Sequence, residues 1–476
     1  MWRCWRFPIF LVSALAANTS VWKTRSIYQL LTDRFAGPSA ACSNLHDYCG
    51  GTWQGIIAHL DYIQALGFDA VWISPVVDNA PGGYHGYWQQ DMLSPNAHFG
   101  TWADLDALAA ALHARNMLLM VDVVANHASS NQDVAANVPF SFPAAYHNCS
   151  GCPGGCNVAD YHDLAQMEHC RLAGLMDFDQ TDDAGPTATA LYAWVSALVA
   201  SHAIDGLRVD TVPYVRPAFW RRFEAAAGVY AVGEVDDGGI PFVAPFQAPS
   251  GADASLSGVL AYPLFFTLRA VFQQRGSMRA LGDAWRQAGA AFADVGALAV
   301  FTDNHDNPRF LSGSSCVGCY RAALAYSVLA EGIPIVYYGS EWLLHGGGDP
   351  DCREALWGVG GAYNASAAPL GPHLAALNAA RRSEQLWLAP QVERWQDDTF
   401  YAFSRGRNLA VFTNVGEGGA PQSRRVAYLP EGFGEGARAC NALPPCACGV
   451  VQGGAFVTPP LSGGDGAGLY VLGAGC

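Results

Sequence analysis

Basic residues are scarce in this chain. Lys plus Arg number 26 against 41 Asp plus Glu, a formal net charge of −15, and they form no cluster. A protein that follows a phosphate backbone needs such a cluster, so nucleic acid is not an expected partner. After the N-terminus no apolar run approaches the roughly 20 residues that span a bilayer. The end of the chain, 472–476, lacks the hydrophobic tail of a lipid anchor, so no membrane association is expected. There is no internal repeat and no low-complexity linker, which argues against an appended module. A glycine-rich phosphate turn after the first strand is also missing, which disfavours a doubly wound dinucleotide-binding sheet.

What is present is a large core. The 476 residues are 51% hydrophobic and include 14 Trp, 19 Tyr and 23 Phe, enough for two or three domains. Most of those rings belong inside, and the remainder suit a surface on which sugar rings stack. Fourteen cysteines point to an oxidising compartment. The N-terminus agrees: Arg3 and Arg6 precede an apolar run over 7–15, and small residues follow at 14–16. Residues 1–16 therefore read as a signal peptide. With N-x-[ST] acceptors at Asn18, Asn148 and Asn364, the expectation is a secreted, extracellular glycoprotein.

From residue 26 short apolar runs alternate with amphipathic stretches. Strands are expected over 26–35, 70–76, 118–124, 206–212, 229–235, 258–265, 297–302 and 333–338, and helices over 53–66, 101–115, 187–202 and 217–227. About eight such strand–helix units predict a (β/α)8 TIM barrel over 17–125 and 186–388. Regularity breaks over 126–185, a Cys-, Asp- and Gly-rich stretch too long for a loop and read as an inserted domain. From 389 to 476 alternating strands and turns predict a C-terminal all-β sandwich domain.

Three acids sit at the ends of barrel strands: Asp210 in GLRVDT, Glu234 in VGEV and Asp306 in NHDNPRF. Such ends converge on one face of a barrel. The segments 26–34 (SIYQLLTDR), 49–57 (CGGTWQGII), 84–91 (YHGYWQQD) and 121–127 (VDVVANH) join these three motifs. Together, in this order, they resemble secreted fungal-type α-amylases of glycoside hydrolase family 13, from about residue 22 to 390.

The resemblance implies an endo-acting, retaining enzyme cleaving internal α-1,4-glucosidic bonds of starch and related α-glucans. Asp210 matches the nucleophile, Glu234 the general acid/base and Asp306 the carboxylate that stabilises the transition state. Arg208 shares a strand face with Asp210 and keeps it ionised. His127 and His305 match histidines that hydrogen-bond the reacting sugar, with His85 assisting. Tyr87 matches the aromatic beneath that sugar, with Trp88 beside it, and Asp349 and Arg353 match a pair lining the donor side. The family's calcium maps to Asn126, Glu168, Asp177 and the backbone carbonyl of Tyr214, so Ca2+ is the implied cofactor. Disulfides Cys42–Cys49 and Cys156–Cys170 follow the family pattern, and Cys440–Cys476 would close the last domain. Extra disulfides are expected from the two C-x-x-C pairs, Cys149 with Cys152 and Cys316 with Cys319, of unstated connectivity, and Cys352 is a candidate free thiol.

One departure concerns the acceptor. Where fungal amylases carry Lys-His, this chain has Pro213-Tyr214, and Tyr214 offers a face for a sugar instead. The alternative reading is thus a 4-α-glucanotransferase. A non-catalytic glucan-binding protein is a third, disfavoured because all three carboxylates are present. The expected assembly is a monomer.

Overall fold

The computed structural model describes residues 18–473 apart from 39–41, 131–133, 154 and 249–254. The expected signal peptide and Cys476 lie outside the described residues. Eight strands make the central sheet: β1 (Ile27–Gln29), β2 (Ala70–Ile73), β3 (Leu118–Val123), β4 (Gly206–Val209), β5 (Tyr230–Gly233), β6 (Gly258–Val259), β7 (Ala299–Val300) and β8 (Ile333–Tyr337). They run in the order β6-β5-β4-β3-β2-β1-β8-β7, and every pairing is parallel. A parallel bridge between Leu260 and Ala299 joins the two edges, so the sheet closes into a barrel.

Alternation along the strands separates two cores. Ile27, Ala70, Trp72, Met120, Tyr230, Val232 and Ile335 point inward and form one buried cluster. Their neighbours Tyr28, Val71, Leu119, Val121 and Ala231 face the surrounding helices. The helix Trp102–His113 shows how those helices dock: Thr101 and Asp104 form a capping box, and Leu105, Leu108 and Leu112 are buried at helical spacing.

The strands are shorter than the apolar pattern predicts, and three segments depart from it in kind. β1 stops at Gln29, and Thr32–Phe35 is helical. β6 stops at Val259, and the rest of that apolar run is the helix Tyr262–Leu268 with Pro263 in its first turn, where a missing N–H is harmless. The helix expected over 53–66 breaks at His59 into Trp53–Ala58 and Leu60–Ala65.

Between β3 and the helix Pro186–His202 the chain is irregular, with a two-stranded antiparallel sheet pairing His127–Ala128 with Met176–Asp177. Disulfides Cys149–Cys156 and Cys152–Cys170 pin it. The expected Cys156–Cys170 bond is therefore wrong: Cys149 lies 4.8 Å from Cys156 between Cα atoms and Cys152 lies 5.7 Å from Cys170, both within bonding range. Cys42–Cys49 is present as expected, Cys316 bonds Cys319, and Cys352 is a buried free thiol.

After the barrel, β9 (Gln391–Gln396), β10 (Phe400–Arg405), β11 (Asn408–Thr413), β12 (Arg425–Val426), β13 (Arg438–Asn441), β14 (Cys448–Gln452), β15 (Ala455–Val457) and β16 (Ala467–Leu472) form an antiparallel sheet. Cys440 bonds Cys448, not Cys476, because the two face each other in register on β13 and β14. No helix among the described residues is long and apolar enough to cross a membrane.

Candidate active site

The C-terminal ends of β3, β4 and β5 and the segment after β7 gather the charged groups. Arg208 on β4 is directly opposed to Asp122 on β3, and both point into the barrel. Its guanidinium organises three carboxyls. Nη1 donates to Asp122 Oδ1 at 3.0 Å and to Asp210 Oδ1 at 2.7 Å, while Nη2 lies 2.8 Å from Glu234 Oε1. Thr211, next to Asp210, adopts φ 50°, a conformation that a β-branched residue rarely holds. That twist aims its N–H at Glu234 Oε2, 3.0 Å away. Gly233, ahead of Glu234, has no room for a side chain: a Cβ there would meet Leu256 at 2.6 Å and Val212 at 2.7 Å.

Asp306 is held separately. Arg353 Nη2 is 3.3 Å from its Oδ1, and His305 Nε2 is 3.4 Å from its Oδ2. His305 also accepts from Gln29 at Nδ1 (2.9 Å), so its proton is on Nε2, which meets Tyr87 Oη at 2.6 Å. Tyr87 donates onward to Asp122 Oδ2 at 2.8 Å, and its ring stacks between His85 (5.6 Å) and His305 (5.5 Å). Trp88 is 39% exposed and packs edge-on against His85. Asp349 pairs with Arg353 at 2.8 Å. Tyr214 is half-buried and, with Tyr161, Pro213, Phe242 and Asp236, lines a cavity of about 360 Å³ that opens beside Glu234.

Burial and crowding separate the two central carboxyls. Burial raises Glu234 to about 8, with Arg208 opposing and Asp210 and Asp306 adding to the rise. Burial also raises Asp210, to about 6, against the pull of Arg208. Asp210 thus ionises before Glu234. Asp306 is buried too, yet His305, Arg353 and Arg208 outweigh that and hold it below the usual carboxylate range. Burial keeps His85, His127 and His305 neutral, pushing them down to about 3, 4 and 3. The arrangement thus offers an ionised carboxylate beside a protonated one, which suits nucleophilic attack coupled to proton donation.

The chain matches the alpha-amylase catalytic-domain family over residues 29–146 and 169–348. It belongs to that family. It is 36% identical over 473 residues to "Alpha-amylase" of Saccharomycopsis fibuligera, covering 94% of this chain and 91% of that one. "Alpha-amylase 1" of Lipomyces kononenkoae is 41% identical over 367 residues, covering 72% of this chain, and this chain spans only 56% of that protein. The solved structure of an alpha-amylase from Malbranchea cinnamomea superposes with a TM-score of 0.86 at 35% identity, covering 96% of this chain and 98% of that one. This member of the family is a glycoside hydrolase with an eight-stranded parallel barrel and a C-terminal antiparallel sheet.

Sequence reasoning missed Asp122, which takes hydrogen bonds from Arg208, Tyr87 and Trp72. The available signal was an acid inside the otherwise apolar strand LLMVDV. It also missed His147, whose Nδ1 lies 2.6 Å from Asp177 Oδ2.

The residues expected to hold calcium divide. Among the described residues no group of three or more His, Cys, Asp or Glu forms a metal cluster. Asn126, Asp177 and the Tyr214 carbonyl do converge. One end of the Asn126 amide lies 3.2 Å from Asp177 Oδ1 and 3.3 Å from Tyr214 O, and the other end lies 3.1 Å from His127 Nδ1. His127 Nε2 faces the Tyr87 carbonyl at 3.2 Å, so this neutral ring carries its proton there and Nδ1 is an acceptor. The Asn126 NH2 must then face His127, which leaves the amide oxygen against two other oxygens. Three oxygens that face one another without a donor fit a hard cation. Glu168 follows the short helix Leu164–Met167 and lines a neighbouring cavity with His147, His169 and Arg216.

Proposed function

We propose that the enzyme is an endo-acting retaining α-amylase that hydrolyses internal α-1,4-glucosidic bonds of starch-like glucans by double displacement. The observation that carries the reading is the single guanidinium of Arg208 bound to both Asp210 and Glu234. It supports the close carboxyl pair of retaining enzymes, about 5–5.5 Å, over the gap of about 6.5–9.5 Å that admits a water in inverting ones. Asp210 attacks the anomeric carbon as Glu234 gives its proton to the departing glycosidic oxygen. Asp306 faces the positive charge that builds on the ring. Water then gives a proton to Glu234 and attacks the same carbon, releasing Asp210. His85, His127 and His305, held neutral, donate or accept at sugar hydroxyls, Tyr87 underlies the ring, and Trp88, Asp349 and Arg353 border it.

On this reading the units are a barrel over 17–125 and 186–388, an insertion over 126–185 and a β domain over 389–476, acting as a secreted monomer. Asn126, Asp177 and the Tyr214 carbonyl would hold Ca2+, with Glu168 as a further ligand. Bound there, it would add a cross-link between the insertion and the barrel beside His127.

Proton NMR of maltoheptaose cleavage tests the mechanism. The first new reducing ends are expected as the α-anomer, with activity lost in Asp210→Asn, and β-anomers would refute it. A second reading, 4-α-glucanotransfer, rests on the aromatic wall of Tyr161, Tyr214 and Phe242 beside Glu234, which favours a sugar over water as acceptor.

A further inference from the structure

At the end of the barrel opposite the carboxylates, the segments leading into β1, β2 and β3 enclose a cavity of about 430 Å³. Arg25, Asp69 and Arg115 line it from those segments, and Arg382 and Trp387 from the last barrel helix, Gly371–Ser383, and the turn after it. This face of a barrel ordinarily serves stability alone. Here it collects three guanidinium groups in a chain of net charge −15.

Arg115 is fully engaged: Nε and Nη2 reach Asp61 at 3.0 and 2.9 Å, and Nη1 reaches the Ala111 carbonyl at 3.1 Å. Arg25 and Arg382 are not. Arg25 gives Nη1 to the Asn116 carbonyl at 3.2 Å, but its Nε is buried with no acceptor. Arg382 gives Nη1 to the Gly67 carbonyl, lines the cavity and is exposed. The one carboxylate in the lining, Asp69, has Oδ1 bound by the Ser26 N–H at 2.7 Å, and its Oδ2 lies 3.9 Å from Arg25. It offsets one guanidinium and leaves the cavity positive.

We propose that this cavity binds a phosphoryl oxyanion, free or esterified to a sugar. Guanidinium forks match tetrahedral oxyanions through parallel charge-assisted hydrogen bonds. The volume falls in the range of small-molecule sites, about 300–1,000 Å³. The half-buried indole of Trp387 and the amide of Gln64 supply the apolar face and polar contact that a hexose ring takes. The site is remote from Asp210 and does not depend on the catalytic reading.

Isothermal titration calorimetry of the full chain tests it, using inorganic phosphate, glucose 6-phosphate and glucose at ionic strength fixed with sodium chloride. The expected result is saturable one-to-one binding of the phosphorylated probes, weakened at least tenfold in Arg25→Gln and in Arg382→Gln, with maltoheptaose turnover unchanged. Tighter binding of glucose 6-phosphate than of phosphate assigns the sugar ester, and equal affinity assigns the free oxyanion. Absence of saturable heat, or a dissociation constant that neither variant changes, overturns the proposal. Should Arg25→Gln fail to fold, the exposed Arg382 decides alone.

Discussion

Arg208 and Asp122 oppose each other across β4 and β3, Nη1 3.0 Å from Oδ1, with both side chains buried. This pair sets where the guanidinium sits before it reaches Asp210 and Glu234. Removing the Asp122 carboxylate breaks a buried ion pair and takes the acceptor from Tyr87 Oη and Trp72 Nε1, so Asp122→Ala is expected to lower stability by about 3–5 kcal/mol in urea unfolding. Asp122→Asn keeps the shape but frees Arg208 to pull harder on both catalytic carboxyls. It should fold, lose at least about tenfold in kcat/KM, and move the basic limb of the pH profile to lower pH. A profile that stays where it was would deny Asp122 this role.

The same network predicts the pH dependence. Asp210 and Glu234 titrate as a pair, and the active form has Asp210 ionised and Glu234 protonated. Since burial raises them to about 6 and about 8, kcat/KM should climb through about pH 6 and fall through about pH 8. Stability carries the same sign. Glu234 sits above its ordinary 4.5, so the folded state keeps a proton that the unfolded chain releases. Its contribution is full below pH 4.5 and lost as pH rises through about 8. Glu234→Gln should flatten that slope in urea unfolding across the same range and abolish turnover.

Calcium makes a separate prediction. If a cation bridges Asn126, Asp177 and the Tyr214 carbonyl, EDTA lowers Tm and added calcium restores it, with about 2.7 kcal/mol of stabilisation at one hundred times Kd. Asp177→Asn should remove the calcium-dependent shift. An unchanged Tm in EDTA, with no metal in elemental analysis, would remove the assignment.

A role for Tyr214 in choosing the acceptor makes a further prediction. In the wild type, Tyr214 and Tyr161 line the cavity beside Glu234. Tyr214→Ala should lower any transfer of sugar to sugar relative to hydrolysis by several-fold, read as fewer products longer than maltoheptaose early in the reaction. Equal product ratios in both proteins would clear Tyr214 of acceptor selection.

Much of this was legible in the sequence because periodicity and position carry it. Apolar runs marked all eight barrel strands, Asp210 and Glu234 directly follow their strands, and Asp306 lies further on, in the segment after β7. What escaped depends on distant partners. Asp122 looks out of place in an apolar strand until Arg208, 86 residues later, is set against it. The run 258–265 is apolar throughout, and only Pro263 signals that a helix has begun. The cysteines of the insertion permit several pairings, and spacing does not choose between them; the fold does, by bringing Cys149 to Cys156 and Cys152 to Cys170.

Double displacement requires that Asp210 form a covalent bond to the sugar. Rapid quenching of the enzyme with a slow fluorinated α-maltosyl substrate, followed by peptide mass spectrometry, tests it directly. The expected result is a glycosylated peptide with the label on Asp210, absent in Asp210→Asn. A label on Glu234 or Asp306, or hydrolysis that proceeds with no labelled peptide, would contradict it.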